Sequence, residues 1–272
     1  MKRPFLSSAV LALGALLGAG QLAHAETPPA DAPVRHAPDL IVLGAGFRPE
    51  YEGADTVSAI PVLALRLNRG RRYLALEGPA LFANLVDRSG LEAGPYLAYA
   101  FGRGGDVDSE AVSAFEEIDA TVELGAFVAL TRAVPALGSA LRLQATATAD
   151  AGGVHEDWKA SLDAELEREL SPRAAVAVGA SLGAAGDGYA DTWFSVSERD
   201  AAAGSLPTFD AEGGPLDGGL GLSGRYALSP RVSLTAFASW RRLLGDAAGS
   251  PVVVEEGDRD QFAGGAGVAW TF

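Results

Sequence analysis

The stretch Ile118–Leu130, IDATVELGAFVAL, decides the fold, because every even-numbered position in it is apolar. Its odd-numbered positions include Asp119, Thr121 and Glu123. Side chains alternate between the two faces of a strand, so the pattern predicts a β-strand with one apolar and one polar face. The stretch is long enough to cross a bilayer, which takes a tilted strand about 9–11 residues. Its apolar face would contact lipid in a transmembrane barrel, or a second sheet in a secreted sandwich.

The start of the chain predicts export. Two basic residues precede a mostly apolar run, residues 5–19, and the sequence A-H-A follows at residues 23–25. A charged start, a short apolar run and a small-residue cleavage site are typical of a secretory signal peptide. We therefore expect a signal peptide at residues 1–25 and a flexible, proline-rich periplasmic lead-in at residues 26–39.

Charge and composition limit the function. Loss of residues 1–25 would remove two of the 21 basic residues and would leave all 35 acidic ones. This acidic balance argues against nucleic acid as a partner, because phosphate groups need a basic surface. The chain contains no cysteine, so disulfides cannot stabilise it in an oxidising compartment.

Alternating segments separated by turn signals continue to the end of the chain and predict about twelve strands. The segments are Leu40–Phe47, Val57–Leu67, Arg71–Val86, Leu91–Phe101, Ile118–Leu130, Leu141–Ala151, Trp158–Leu170, Ala174–Leu182, Asp191–Glu198, Leu220–Leu228, Val232–Trp240 and Phe262–Phe272. Arg71–Val86 alternates poorly, and Gly78 with Pro79 predicts a bulge or bend within it. Asp191–Glu198 is a weak strand. Trp158–Leu170 also has leucines at helical spacing, but its neighbours favour a strand.

The number of strands depends on how the turns are assigned to the two ends of the barrel. Two Ser-Pro-Arg turns, at residues 171–173 and 229–231, both have the character of short periplasmic turns. An odd number of the predicted strands lies between them, unless Leu206–Ala211 supplies a short extra one. Bacterial barrels have an even number of strands, so ten, twelve and fourteen stay open, with twelve preferred.

Three features favour a single-domain barrel, residues 40–272, over a sandwich. Many strands are longer than the usual 5–6 residues of soluble sheets. Aromatic residues lie near strand ends, as in the interface girdles of outer-membrane barrels. The final strand carries Trp270 and Phe272, which resemble the signal read by the barrel assembly machinery. A secreted sandwich is the alternative, but its core would consist largely of alanine and glycine.

Charged residues collect on the polar faces of the predicted strands and would face a barrel lumen. The candidates are Asp119, Glu123, Arg142, Lys159, Asp163, Glu165, Glu167, Glu169, Arg225 and Arg241. Buried charges need partners or water, so we expect a salt-bridged, hydrated interior. A polar pathway for small solutes is the alternative, since twelve strands lie between filled and open barrels.

Two loops carry further candidates. Pro49, Tyr51, Glu52, Gly53 and Asp55 form a candidate interaction loop, in which Gly53 permits a positive φ. The second loop, residues 102–117, is acidic but lacks the spacing of a calcium loop. We expect it to be solvated, with a cation or lipopolysaccharide-linked calcium as the alternative.

Nothing in the sequence predicts catalysis. After the signal peptide, histidine occurs only at His36 and His155, and neither forms part of a triad pattern. We expect His155 to be an exposed loop residue. The sequence thus predicts no catalytic, cofactor or metal site.

Several short motifs resemble the MipA/OmpV family of outer-membrane proteins over nearly the whole mature chain. They are Pro49–Asp55, Phe101–Arg103, Ile118–Glu123, Leu206–Ala211, Arg242–Asp246 and Ser250–Val252. The resemblance implies an outer-membrane barrel. The name-giving member of that family is a scaffold between a lytic murein transglycosylase and a murein polymerase. Other members resemble adhesins or affect antibiotic passage and osmotic responses.

We therefore expect a non-enzymatic barrel in the outer membrane of a Gram-negative bacterium. The resemblance implies a scaffold for enzymes of murein synthesis and hydrolysis, with a small-solute channel or a surface adhesin as alternatives. The expected partners are outer-membrane lipid, lipopolysaccharide, the barrel assembly machinery, a murein transglycosylase and a murein polymerase.

Overall fold

The computed structural model describes residues 38–272, in which twelve antiparallel strands close into a barrel. The strands are β1 (Leu40–Pro49), β2 (Val57–Arg69), β3 (Arg72–Glu77), β4 (Ala80–Asn84), β5 (Leu91–Ala100), β6 (Thr121–Val134), β7 (Ser139–Asp150), β8 (Trp158–Ser171), β9 (Ala174–Ala185), β10 (Gly214–Ala227), β11 (Val232–Leu243) and β12 (Asp260–Thr271). Each strand pairs with its neighbours in sequence, and β1 pairs with β12 to close the barrel. The predicted fold class and strand number are confirmed. The expected signal peptide and most of the lead-in lie outside the described residues.

Short helices lie in the connections between strands. They are α1 (Glu110–Ser113), α2 (Asp187–Phe194), α3 (Glu198–Gly204), α4 (Gly245–Gly249) and α5 (Pro251–Val254), with one 3₁₀ turn at Pro135–Leu137. In residues 38–272 we find no helix with the length and apolar character needed to span a bilayer.

The β6 strand has the two faces that its sequence predicts. Leu124 and Val128 are 50% and 45% exposed, whereas Glu123 and Phe127 are each only 3% exposed. Because the leucine and valine side chains point out of the barrel and the glutamate points in, this strand reverses the usual arrangement of a soluble protein. The same reversal continues around the barrel.

Large apolar side chains cover the outer surface of the strands. Among those at least 36% exposed are Leu43, Leu63, Leu74, Leu81, Tyr99, Leu143, Trp158, Leu162, Val178, Leu182, Leu220, Leu222, Leu234, Phe262, Val268 and Trp270. Soluble monomers rarely expose a continuous apolar surface of this extent. The outer face of the barrel is therefore built to contact lipid, and the sandwich alternative is wrong.

Two of the predicted strands differ from the structure. One of them is two strands and the other is not a strand, so the total number of strands stays twelve. Residues 71–86 form two strands, β3 and β4, because Gly78 takes a φ of 55° and turns the chain back. The predicted strand Asp191–Glu198 overlaps the end of α2 instead. Leu206–Ala211 adds no strand, although Phe209 forms an isolated bridge to Val196. Two strands, β9 and β10, therefore lie between the Ser-Pro-Arg turns. Because this number is even, both turns lie at the same end of the barrel, as predicted.

The two ends of the barrel differ in their connections. The end that holds Asp39 and Phe272 has short turns, and backbone hydrogen bonds of 3.0 and 3.2 Å join these two residues. The opposite end carries the long connections that contain α1 to α5. In bacterial barrels the short turns face the periplasm and the long loops face outward, so Asp39 and Phe272 lie at the periplasmic end.

The lumen has two unlike walls. On the β3–β6 side, aromatic rings fill the interior: Phe82 lies 5.9 Å from Tyr96 and 5.4 Å from Phe127, measured between ring centroids. On the β9–β10 side, the inward positions carry mainly small residues, such as Gly179 and Gly221. Space within the lumen therefore lies against the β9–β10 wall.

Candidate functional site: the capped barrel lumen

The long loops meet over the outer mouth of the barrel and form a cap, which we define as residues 50–56, 101–120, 186–213 and 244–259. The loop after β5 contacts the loops after β1, β9 and β11. The backbone N–H of Asp108 donates to Glu50 over 2.9 Å, and Ser109 Oγ donates to Glu256 Oε2 over 2.7 Å. Arg199 lies 3.0 Å from Glu116. Because these contacts join loops from separate sectors of the barrel, the cap spans the mouth.

The cap has its own apolar core. Trp193 and Phe194 of α2 are buried with Val253 of α5 and with Leu243 at the end of β11. Ser250 Oγ donates to the backbone carbonyl of Phe194 over 2.6 Å, and both residues are fully buried. Apolar side chains that would form a soluble core thus hold the loops together at the barrel mouth.

The candidate interaction loop is part of this cap, and most of it is inaccessible to a partner. Tyr51 and Glu52 are each 4% exposed, Gly53 is buried, and Asp55 is exposed. Tyr51 donates its phenol hydrogen to the backbone carbonyl of Glu256 over 3.0 Å, and burial raises its pKa to about 12. Tyr51 and Glu52 therefore cannot contact a partner in this conformation, because their side chains are buried in contacts with the cap and the lumen. Pro49 ends β1 and lines the lumen.

Gly53 explains the sharp turn of this loop. Its φ is 97°, and a Cβ atom at this position would lie 2.5 Å from Val253 Cγ2. The positive φ expected from the sequence is confirmed, and the close approach to α5 adds a second reason for glycine.

Three charged residues join the cap to the strands. Arg241 on β11 donates one N–H to Glu52 in the cap and another to Asp217 on β10, the latter over 3.1 Å. The three side chains are 16%, 3% and 11% exposed. The Arg241 guanidinium thus neutralises two largely buried carboxylates at the top of the lumen.

A second cluster surrounds Glu123 on β6. Lys159 Nζ lies 3.3 Å and His155 Nε2 lies 3.6 Å from Glu123 Oε1, and Thr148 donates to the other oxygen over 3.0 Å. The prediction that His155 is exposed is wrong: it is 4% exposed and packs edge-on against Tyr189. Burial raises the pKa of the Tyr189 phenol well above its usual value.

The third cluster lies lower in the lumen. Arg142 on β7 pairs with Glu92 on β5 and donates to Gln144 over 2.7 Å. Asp163, Glu165 and Glu167 follow one another on the inward face of β8, and we call these three residues the carboxylate column. No ion pair shorter than 4 Å involves them within residues 38–272.

The remaining predicted charges are dispersed. Asp119 is exposed and precedes β6, so the expectation that it faces the lumen is wrong: regular strand pairing begins only at Thr121. Glu169 is exposed near the periplasmic turn, and Arg225 is half-buried on β10. Trp270 and Phe272 are 56% and 62% exposed on the outer surface, and their role as an assembly signal stays a prediction.

A cavity of about 320 Å³ lies beneath the cap. Tyr189 and Trp193 of α2 line it at the cap, Tyr96 lines it on the aromatic wall, and the carboxylate column lines it on β8. Eight carboxylates and five cationic side chains border this space: Glu52, Glu77, Glu92, Glu123, Asp163, Glu165, Glu167 and Asp217, with Arg48, Arg66, Arg142, Lys159 and Arg241. The described part of the chain groups no three His, Cys, Asp or Glu side chains in a way that could hold a metal ion.

The short turns form a periplasmic rim, which carries mainly positive charge, in contrast to the acidic lumen. Eight exposed arginines lie in or beside its short turns: Arg69, Arg71, Arg72, Arg88, Arg132, Arg168, Arg173 and Arg231. Asp39, Asp87 and Glu169 are the acidic residues that accompany them among residues 38–272. Arg71 pairs with Asp87 over 3.6 Å. The rim is therefore basic although the chain as a whole is acidic, and single residues gave no sign of this before the turns were assigned to one end.

Comparison with known families agrees with this architecture. The family model described as MltA-interacting protein MipA matches residues 41–272. The chain belongs to the MipA family. The match covers every strand and the whole cap, so this MipA-family chain is an outer-membrane β-barrel protein, and the expected localisation in the bacterial outer membrane is confirmed. No curated protein sequence matches the chain.

Several solved outer-membrane barrels are similar to this MipA-family protein. An outer-membrane channel from Pseudomonas putida F1 is 16% identical, with a TM-score of 0.45, over 91% of this chain and 100% of the channel. CymD, a monoaromatic hydrocarbon channel, is 12% identical, with a TM-score of 0.43, over 86% and 88% of the two chains. OmpT of Vibrio cholerae is 8% identical, with a TM-score of 0.39, over 78% and 64%.

Proposed function

We propose that this protein is a non-enzymatic scaffold at the inner surface of the outer membrane, and that it docks a periplasmic murein transglycosylase on its arginine-rich rim. Membership in a family named for interaction with MltA is the observation that carries the proposal. A murein polymerase as a further partner follows from the resemblance found in the sequence and belongs to the same proposal.

The cap supports a scaffold over an open channel. Its apolar core and its contacts between loops of separate sectors cover the outer mouth. Ion pairs occupy much of the lumen below it, including those of Arg241 and Arg142. The contacts of the cap and the ion pairs of the lumen therefore favour the scaffold over the channel.

The rim supports docking on the periplasmic side. Arg88, Arg173 and Arg231 lie in three separate turns, are exposed, and have no carboxylate within 4 Å among residues 38–272. Exposed guanidinium groups can form bidentate hydrogen bonds with carboxylates of a partner protein. The cap loops face the cell exterior and cannot reach a periplasmic enzyme.

Retention of a murein transglycosylase tests the proposal. The barrel is reconstituted in nanodiscs and incubated with the purified transglycosylase of the same bacterium. We expect retention by the wild-type barrel and at least about tenfold weaker binding by the variant R88Q/R173Q/R231Q. The matched control R199Q/R242Q/R259Q removes three exposed arginines at the opposite, outer end of the barrel and should bind normally.

Two results would contradict the scaffold. The first is a wild-type barrel that retains no transglycosylase at micromolar concentration. The second is steady, ion-selective conductance of the barrel in a planar bilayer, which would favour the channel instead.

A further inference from the structure

We propose that the lumen beneath the cap binds a linear aliphatic polyamine, with its ammonium groups on the carboxylate column Asp163, Glu165 and Glu167. This binding site is independent of the scaffold role, which concerns the periplasmic rim.

The balance of charge within the lumen is the first argument. Ion pairs account for Glu52 and Asp217 with Arg241, for Glu123 with Lys159, and for Glu92 with Arg142. Four other carboxylates line the cavity without an ion pair shorter than 4 Å in the described chain: Glu77, Asp163, Glu165 and Glu167. Eight carboxylates but only five cationic side chains border the cavity, so pairing among them leaves an excess of negative charge. The cavity therefore carries excess negative charge that a cationic ligand would balance.

Unsatisfied polar atoms at the same place are the second argument. Among the described residues, Asp163 Oδ1, Glu167 Oε1 and Ser181 Oγ are buried without a hydrogen-bond partner. Ser181 is only 6% exposed, lines the cavity and is the cross-strand neighbour of Asp163. A buried polar atom without a hydrogen-bond partner is unfavourable, so a ligand with N–H donors at this position would satisfy several such atoms together.

The spacing of the column determines the class of cation. Inward residues two apart on a strand are separated by roughly 7 Å, so one metal ion cannot be shared by the three carboxylates. A chain with ammonium groups at intervals and methylene groups between them matches this arrangement. The β9–β10 wall leaves room beside the column, since Gly179 and Gly221 have no side chains there.

The aromatic wall suits the methylene groups of such a ligand. Tyr96 lines the same cavity as Asp163 and Glu77, and Phe82 stacks on Tyr96. Aromatic faces attract ammonium groups and also accept the apolar stem between them. The cavity thus combines carboxylates on one side with aromatic rings on the other.

Equilibrium dialysis with radiolabelled spermidine tests the site on the full reconstituted barrel, after overnight incubation to allow entry beneath the cap. We expect saturable binding that putrescine competes for and that butanediol does not. The variant D163N/E165Q/E167Q should bind spermidine at least about tenfold more weakly. The control D106N/E110Q/E255Q removes three exposed cap carboxylates and should bind within about twofold of wild type.

The outcome that overturns the site is binding that depends on total charge alone. This would appear as equal losses in the two variants, or as displacement of spermidine by Mg²⁺ at the same charge concentration. The Mg²⁺ competition uses the wild-type protein, so it decides the question even if the triple variant fails to fold. Absence of saturable binding to the wild type would also overturn it.

Discussion

At the scale of single residues, Arg241 and its neighbour Arg242 differ only in the face on which they lie. Arg241 points inward between Glu52 and Asp217, whereas Arg242 points outward, where its side chain is 44% exposed and pairs with Asp260. The pair of adjacent arginines therefore provides a matched comparison of a buried and an exposed ion pair.

The substitution R241Q should lower the free energy of unfolding by about 3–5 kcal/mol, because it leaves two buried carboxylates without their cation. The substitution R242Q should cost less than about 1 kcal/mol, as expected for an exposed pair. Urea unfolding in lipid vesicles, followed by tryptophan fluorescence, measures both. Equal effects of the two substitutions would show that the cluster of Glu52, Asp217 and Arg241 does not anchor the cap.

Gly53 and Gly70 both have a positive φ, but their surroundings differ. A Cβ at Gly53 would meet Val253 at 2.5 Å, and one at Gly70 would meet no atom within 4 Å. We expect G53A to cost about 2–4 kcal/mol of stability and G70A about 1 kcal/mol, the cost of the backbone conformation alone. Hydrogen exchange of the cap amides should rise in G53A only. Unchanged exchange in the cap would contradict the contact with α5.

The raised pKa of the Tyr51 phenol predicts that the stability of the folded protein depends on pH. Its pKa in the folded protein is about 12, against 10 for the free side chain, so the folded state holds this proton more tightly than the unfolded state. The resulting stability is fully present below pH 10 and is lost as the pH rises from 10 to 12. Phenolate absorbance and unfolding midpoints against pH measure this. In the variant Y51F, the unfolding midpoint should fall less steeply with pH than in the wild type. An identical slope in both proteins would contradict the burial of the Tyr51 phenol.

At the scale of elements, β8 shows how much the sequence could predict. Leu162, Leu166 and Leu170 fit helical spacing as well as strand alternation, and only pairing with β7 and β9 decides for the strand. The structure confirms this prediction because alternation held over the whole segment. In contrast, α2 has no local pattern that marks it as buried: its aromatic residues are buried by contacts with β10, β11 and α5, which are distant in sequence.

The outward face of β8 gives a direct prediction for the membrane. Leu162 is 62% exposed near the middle of the strand, and Leu228 is 53% exposed at a periplasmic turn. We expect L162R to cost about 2–4 kcal/mol in a bilayer and L228R about 0–1 kcal/mol, since the cost of a charge depends on depth. Unfolding in vesicles measures both. A cost for L228R equal to that for L162R would contradict the depths assigned to these two residues.

At the scale of the whole molecule, the sequence predicted the barrel and its family. It did not predict the cap or the concentration of positive charge at the periplasmic end. Alternation is local, so the lipid-facing and lumenal faces could be assigned residue by residue. The burial of Tyr51, Glu52 and His155 depends on loops that meet only after the barrel closes. The arginine rim likewise emerges only when the turns are gathered at one end.

The central claim is that lipid contacts one face of each strand and the lumen contacts the other. The chain has no cysteine, so single cysteines can be introduced at successive positions 122–130 of β6 and labelled with a nitroxide. In vesicles, the account predicts high accessibility to oxygen at even positions and low accessibility at odd positions, with a period of two. Accessibility to a water-soluble relaxant that is uniform along the segment, without alternation, would contradict it.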